Sequence, residues 1–258
     1  MGSRKVLVIV PFPMSEENRL QRAAQLEAVE LGPDIAFHFQ PVRAGPANYT
    51  SDHDSALADL SILDAGKRAE ADGYDAVCID TMSDSGLAAL RSVLDIPVIG
   101  PGRAAMLTAL MLGERFSILI MWDRWRHLYR KPLLELGLTW RCASIRAIGV
   151  EPSNQSLLAG KEDEVFPLLL AAARRCIDED GADVILLGST TMHQAHAYLR
   201  DRLPVPVINP GPLSYKLAET ALALGLSHSR KAHARPTAPR LDMIDAMLDA
   251  AQRQQRNG

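Results

Sequence analysis

Short runs without a single polar residue alternate along this chain with longer stretches in which apolar residues recur every three or four places. The first run, residues 6–10 (VLVIV), is the pattern of a strand buried on both faces of a parallel sheet. Pro11-Phe12-Pro13 stops it in an extended loop, and Ser15 followed by Glu16 and Glu17 marks a helix start. Residues 35–42 read as the next strand, 44–54 as a polar loop and 57–72 as an amphipathic helix. A central strand over 76–80, a helix over 86–94 and a strand over 96–99 follow. The order is then expected again: strand 116–121, helix 125–136, strand 142–149, loop 152–160, helix 162–178, strand 184–187, helix 193–201 and strand 205–208. Helices over 214–224 and 241–252 close the chain, the last packing back on the first half.

The repetition reaches individual residues. Gly73 and Gly181, Asp75 and Asp183, and Thr81 and Ser189 each lie 108 positions apart. KVLVIVP at the start has its counterpart in RFSILIM, and IPVIGPG in VPVINPG. Strand and helix alternate throughout, so the fold class is α/β. Two pseudo-symmetric domains are expected, each a parallel sheet flanked by helices. The first takes residues 1–112 with 212–258, the second 113–211, with an active-site cleft between them. Ligands of such sheets bind beyond the carboxyl ends of the strands. The cleft therefore receives residues 11–14, 81–85, 121–124 and 189–193.

Totals narrow the function classes. At 258 residues, 47% hydrophobic and 23% charged, the chain suits one large or two small globular domains. A net charge of −3 offers no footprint for nucleic acid or an anionic membrane; the partner expected is a small-molecule substrate. No apolar run reaches the roughly 18 residues of a membrane span and no signal peptide is evident, so a cytoplasmic location is expected. Cys78, Cys142 and Cys176 are odd in number and scattered, as reduced core thiols are. No metal-ligand spacing and no glycine-rich dinucleotide or phosphate motif occurs.

Hydroxyls dominate the strand ends. Ser189-Thr190-Thr191 offers backbone N–H groups and three hydroxyls to a carboxylate, an enolate or a tetrahedral oxyanion, or else simply caps a helix. Thr81, Met82 and Ser83 form the mirror-image stretch, flanked by Asp80 and Asp84. Asp80, at the mouth of an apolar cleft, is a general base of raised pKa or a structural partner of Thr81. His193 lies four residues beyond Ser189, one helical turn along, where it is placed to be the base of a Ser–His–Asp-like set. Arg124 beside Asp123 is a substrate-carboxylate clamp or a surface ion pair, and Tyr49 and His53 sit in a loop able to cover the cleft.

The stretches GPANYTSDHDSAL, ADGYDAVCIDTMSDSGLAALRSVLDIPVIGPG, GERFSIL, RCASIRAIGV and GLSHSRKAHARP together resemble the hydantoin racemase branch of the aspartate/glutamate racemase superfamily, over roughly residues 5–236. The resemblance implies a cofactor-independent enzyme, commonly a homo-oligomer. In it a cysteine at one strand end of each half removes or returns a proton on opposite faces of a carbon acid. The family's first cysteine falls on Thr81 and its second on Ser189. A free thiol ionises near pH ~8.5 and an alcohol far higher, so neither residue is a resting base. The family's asparagine-proline-asparagine loop reads Val10, Pro11, Phe12 here, and its threonine pair reads Ile120 and Met121, followed by Trp122. These apolar replacements imply a greasier pocket and a larger or less polar ligand.

Three readings follow. The first is an isomerase acting next to the carbonyl of a small carboxylate, imide or amide. The second is a hydrolase or a decarboxylase-type lyase that uses the Ser189 and Thr81 hydroxyls with Asp80 or His193 as base. The third is a binder without turnover. Deliberate replacement of both cysteines is a further explanation of Thr81 and Ser189, against which the altered 11–13 and 121–122 segments argue.

Overall fold

Why the first half folds as it does is visible in its opening strand. In β1 (Arg4–Val10) Val6, Val8 and Val10 face one way and Leu7 and Ile9 the other, and all five are fully buried. Both faces of the sheet are therefore covered. The computed structural model describes residues 3–153 and 161–257. β1 is followed by α1 (Glu16–Ala23), β2 (Ile35–Pro41), α2 (Asp52–Gly66), β3 (Ala76–Ile79), α3 (Leu87–Val93), β4 (Val98–Ile99) and α4 (Pro101–Leu112). A second pass runs β5 (Phe116–Ile120), α5 (His127–Glu135), β6 (Cys142–Ala147), α6 (Glu162–Asp178), β7 (Val184–Leu187), α7 (His196–Arg200), β8 (Val207–Ile208) and α8 (Pro210–Ala223). Helix α9 (Leu241–Asn257) then lies against α2. The loop expected over 152–160 falls mostly outside the described residues.

Each pass makes one parallel four-stranded sheet, in the orders β2-β1-β3-β4 and β6-β5-β7-β8. Val8 is level with Cys78 and Phe39, and Ile118 with Leu186 and Ile145. The strand order reverses direction between β1 and β3, and again between β5 and β7. At such a switch point the flanking loops part and leave a crevice at the strands' carboxyl ends. Asp75 accepts the Lys5 amide, and Asp183 accepts those of Glu114 and Arg115, so equivalent acids pin the starts of β1 and β5.

The two halves exchange helices. α4, which follows the first sheet, packs on β5, β7 and α5 of the second, while α8, which follows the second, packs on β3 and β4 of the first. Residues 101–112 therefore share the second half's core, although the expected boundary assigns them to the first. Helix α4 has no counterpart among the expected elements. It begins at Pro101-Gly102, a pair that reads as a turn although Pro suits the first helical position. It buries Ala105, Met106 and Ala109 yet leaves Leu107, Met111 and Leu112 exposed, so no polar stripe announces it. α8 likewise starts four residues before the expected 214. Gly102 is required where it stands: a Cβ there would come within 2.1 Å of the Met82 carbonyl.

Candidate active site

The loops leaving β3 and β7 meet across the crevice. Asp80 N–H donates to Ile9 O at 2.9 Å and Gly188 N–H to Leu119 O at 2.7 Å, which extends each sheet ladder to the edge of the site. Beyond these points the hydroxyls pair. Thr81 Oγ1 lies 3.1 Å from Ser83 Oγ, and Ser189 Oγ lies 2.9 Å from Thr191 Oγ1. The two pairs are equivalent under the 108-residue repeat, and all four residues line one cavity. Phe12, Tyr49, Met82, Trp125, Leu128 and Tyr129 form its apolar and aromatic wall, and Asp80 and Thr190 also border it. The free space is about 20 Å³, room for roughly one water. The expectation of space for a larger ligand is thus not met in this conformation, because the aromatic side chains fill the crevice.

Tyr49 closes the roof. Its ring packs on Phe12 with centroids 5.0 Å apart, and the loop carrying it is tied across the crevice by Trp125 Nε1–H donating to Asn48 Oδ1 at 2.9 Å. Its phenol oxygen is buried without a partner, and burial pushes the phenol well above its ordinary pKa. His53 is exposed at the start of α2 and takes no part.

Arg22 lines the same cavity, and the sequence reading missed it. It sits on α1, 1% exposed. Its Nη1 donates to Asp80 Oδ2 at 3.1 Å and to Thr190 Oγ1 at 3.0 Å, while its Nε–H has no partner. Gln25, one turn on, donates to Asp80 Oδ1 at 3.3 Å. The signal available beforehand was Asp80 itself, since an acid at the end of an apolar strand needs a cation.

This network corrects two expectations. Asp80 is not a base at the cleft mouth but the buried counter-charge of Arg22; burial drives its carboxyl upward in pKa and the guanidinium pulls it back. Thr190 borders the cavity, but its hydroxyl is engaged, accepting from Arg22 and donating to the Asp80 carbonyl at 3.2 Å.

His193 is a third correction. Residues Thr190–Ala195 form a 3-10 helix, whose three residues per turn put position 193 off the face of Ser189. Ser189 caps that helix through the Thr191 amide and bonds to Thr191, not to His193. Burial, with the charge of Arg22, pushes the imidazole down to about 4.

The loop after β5 is the fourth. Met121 is a core residue, and Trp122 is half-buried with the exposed Arg124 guanidinium 5.4 Å from its ring centre. Neither they nor Arg124 line the cavity, where Trp125 stands instead. Pro11 is buried behind Phe12 and also lies off the wall. Asp84 braces the loop that follows β3. Its carboxylate accepts the Gly102 and Arg103 amides at 2.8 and 2.7 Å and so caps α4.

No thiolate is at hand. Cys78 is fully buried, donates to Ser214 O at 3.6 Å and is pushed up by burial, and Cys142 is pushed up to about 12. Among the described residues no three His, Cys, Asp or Glu side chains gather to hold a metal, and no helix is long and apolar enough to cross a membrane.

Against known proteins, the family described as Asp/Glu/Hydantoin racemase matches residues 16–218. A hydantoin racemase of Paenarthrobacter aurescens is 33% identical over 237 residues, 90% of this chain and 98% of that one. An allantoin racemase from Klebsiella pneumoniae superposes with a TM-score of 0.83 at 29% identity, covering 92% of this chain and 95% of that one. The allantoin racemase of Pseudomonas fluorescens gives 0.80 at 29% identity, over 92% and 98% of the two chains.

Proposed function

The chain belongs to the Asp/Glu/hydantoin racemase family, and we propose that it is a cofactor-independent isomerase acting at the carbon next to a carbonyl of a small, neutral cyclic imide or amide. One observation carries this reading. Two hydroxyl pairs, Thr81–Ser83 and Ser189–Thr191, come from matching strand ends and line one cavity with a guanidinium whose Nε–H is unpartnered. Removing a hydrogen from one face of a carbon acid and returning one to the other requires polar groups on opposite sides. It also requires a site for the negative charge that develops on the carbonyl oxygen. Arg22 Nε–H and the Tyr49 hydroxyl are both buried and unengaged, and each is free to donate to that oxygen. A donor placed this way contributes about 3–4 kcal/mol of transition-state stabilisation. Asp80 balances the charge of the guanidinium, and the apolar and aromatic wall strengthens its contact with a developing enolate.

Hydantoin and allantoin, the substrates in the relatives' names, share a cyclic ureide ring with a hydrogen on the carbon beside a carbonyl. That ring class is the substrate we assign. The crevice must open to admit it, and the Trp125–Asn48 bond is the tie to break.

A second reading rests on the same cavity. None of its hydroxyls is a resting base, yet Phe12, Met82 and Leu128 adjoin them. Loss of carbon dioxide from a malonate-like acid needs a proton donor and an apolar pocket but no base.

Single enantiomers of 5-substituted hydantoins and of allantoin, incubated with the protein in D2O, test the first reading. Proton NMR should show loss of the ring C–H together with loss of optical rotation, and Thr81→Ala and Ser189→Ala should each abolish inversion. No exchange across the panel would remove the isomerase reading, and carbon dioxide release from aryl- or alkylmalonates would establish the second.

A further inference from the structure

Tyr49 must lift for the crevice to open, and the loop that carries it is fastened close on either side. Beyond Tyr49, the Thr50 amide and hydroxyl both donate to Asp54 Oδ2, at 2.8 and 2.7 Å, which pins the chain to the first turn of α2. Before it, Gly45 is held from 210 positions further along the chain. Gln255 of α9 donates from Nε2 to the Gly45 carbonyl at 2.6 Å, and its Oε1 accepts the Gly45 amide at 3.3 Å. One side-chain amide thus takes both backbone groups of one residue. Behind them, a Cβ on Gly45 would lie 3.3 Å from Ser61 Oγ and 3.6 Å from the Pro11 carbonyl, so the glycine is seated between α2 and the segment that presents Phe12. Only Pro46, Ala47, Asn48 and Tyr49 separate the two fastenings.

Charge sets where α9 sits. Arg43, two residues before Gly45, bonds to the Asp64 carboxylate of α2 at 2.7 and 2.9 Å and also to Asp249 of α9. Its Nη2 donates to the Asp245 carbonyl at 3.3 Å, and Lys67 and Arg68 of the neighbouring turn each reach the Asp245 carboxylate at 2.8 Å. Leu248 of the same helix is buried.

We propose that α9 is a clasp on the Tyr49 loop, and that letting go of Gly45 is the step by which the crevice opens to a ligand. Two fastenings around four residues leave Tyr49 little travel, so one must yield. Thr50 is bonded twice to a carboxylate, and bonds to an ionised acceptor are roughly twice as strong as neutral ones. Gln255 is neutral and exposed, so its fastening yields first. With Gly45 released, the nearest backbone bond behind the loop is that of the Val42 amide to Val10 O at 3.0 Å, and residues 43–49 swing as one segment. The clasp re-forms once the loop closes over the ligand. That the ligand is a cyclic ureide rests on the isomerase reading above; the clasp itself does not.

The test compares full-length wild type with Gln255→Ala and Gln254→Ala. The Tyr49 amide is a reporter the substitution does not touch, since it donates to Asn48 Oδ1 at 2.8 Å. In Gln255→Ala its exchange with D2O should quicken about 10-fold, the scale of a lost hydrogen-bond pair. Gln254, which borders the cleft between α9 and α2 without holding Gly45, should exchange for alanine with no effect. Stopped-flow mixing with a 5-substituted hydantoin, read by tryptophan fluorescence, should show association and dissociation both faster in Gln255→Ala by that same factor, with Kd unchanged. A part that only stabilised the fold would not produce that pairing, because the clasp is broken and remade on both the way in and the way out. Equal Tyr49 exchange in Gln255→Ala and wild type would overturn the clasp. So would equal quickening by Gln254→Ala, or a changed Kd with only one rate altered. Wild type that binds no hydantoin would remove the ureide reading instead, and the exchange comparison would still decide the clasp.

Discussion

Breaking the Arg22–Asp80 pair should be among the most costly single changes available in this fold. The two side chains are 1% and 0% exposed, their closest atoms are 3.1 Å apart, and Gln25 and Thr190 complete the shell. At that distance, and an effective dielectric of about 20, the attraction is on the order of 5 kcal/mol. Desolvation cancels much of that in the intact pair, but a lone survivor keeps the desolvation and loses the attraction. Arg22→Met or Asp80→Leu should therefore each cost about 3–5 kcal/mol. The double variant should cost less than the sum of the two, because it leaves no buried unpaired charge. Urea denaturation followed by fluorescence of the three tryptophans reads all four proteins as one double-mutant cycle. In heat the single variants should melt roughly 10 °C lower. Singles within about 1 kcal/mol of wild type, or a double variant as damaged as the sum, would refute a mutually dependent buried pair.

Other consequences are cheaper to check. Asp84→Ala removes the cap of α4 and should lower stability by about 1 kcal/mol in the same denaturation assay. Hydrogen bonds from the Thr50 hydroxyl and amide and from His53 and Ser51 hold Asp54 down to about 2, against 3.8 ordinarily. Its folded pKa is depressed, so its contribution to stability is present above about pH 4 and is lost as pH falls towards 2; acid unfolding of Asp54→Asn should lack that component. Trp125→Phe removes the tie to Asn48, and amide exchange across residues 44–51 should quicken while the rest of the chain is unchanged.

What the sequence disclosed is what repeats or what is buried on two sides. Apolar runs marked the inner strands β1, β3, β5 and β7, and the 108-residue offset brought Thr81 and Ser189 to equivalent strand ends of two like sheets. Elements that escaped lack a periodic signal. α4 has apolar residues around its circumference, and the 3-10 helix at 190–195 breaks the 3.6-residue spacing on which His193 was placed. Arg22 looks like any solvated helix residue in NRLQRAAQLE; only the fold brings α1 over β3 and reveals why Asp80 is tolerated. Of the two tryptophans near β5, the farther one faces the cavity because Met121 and Trp122 turn into the second half's core.

Replacing each hydroxyl in turn by a thiol asks the central question directly. If Thr81 and Ser189 address opposite faces of one bound carbon acid, Thr81→Cys should speed deuterium exchange of one enantiomer and Ser189→Cys that of the other, each by about 100-fold. Acceleration of the same enantiomer by both variants, or of neither, would contradict a shared substrate between the two halves.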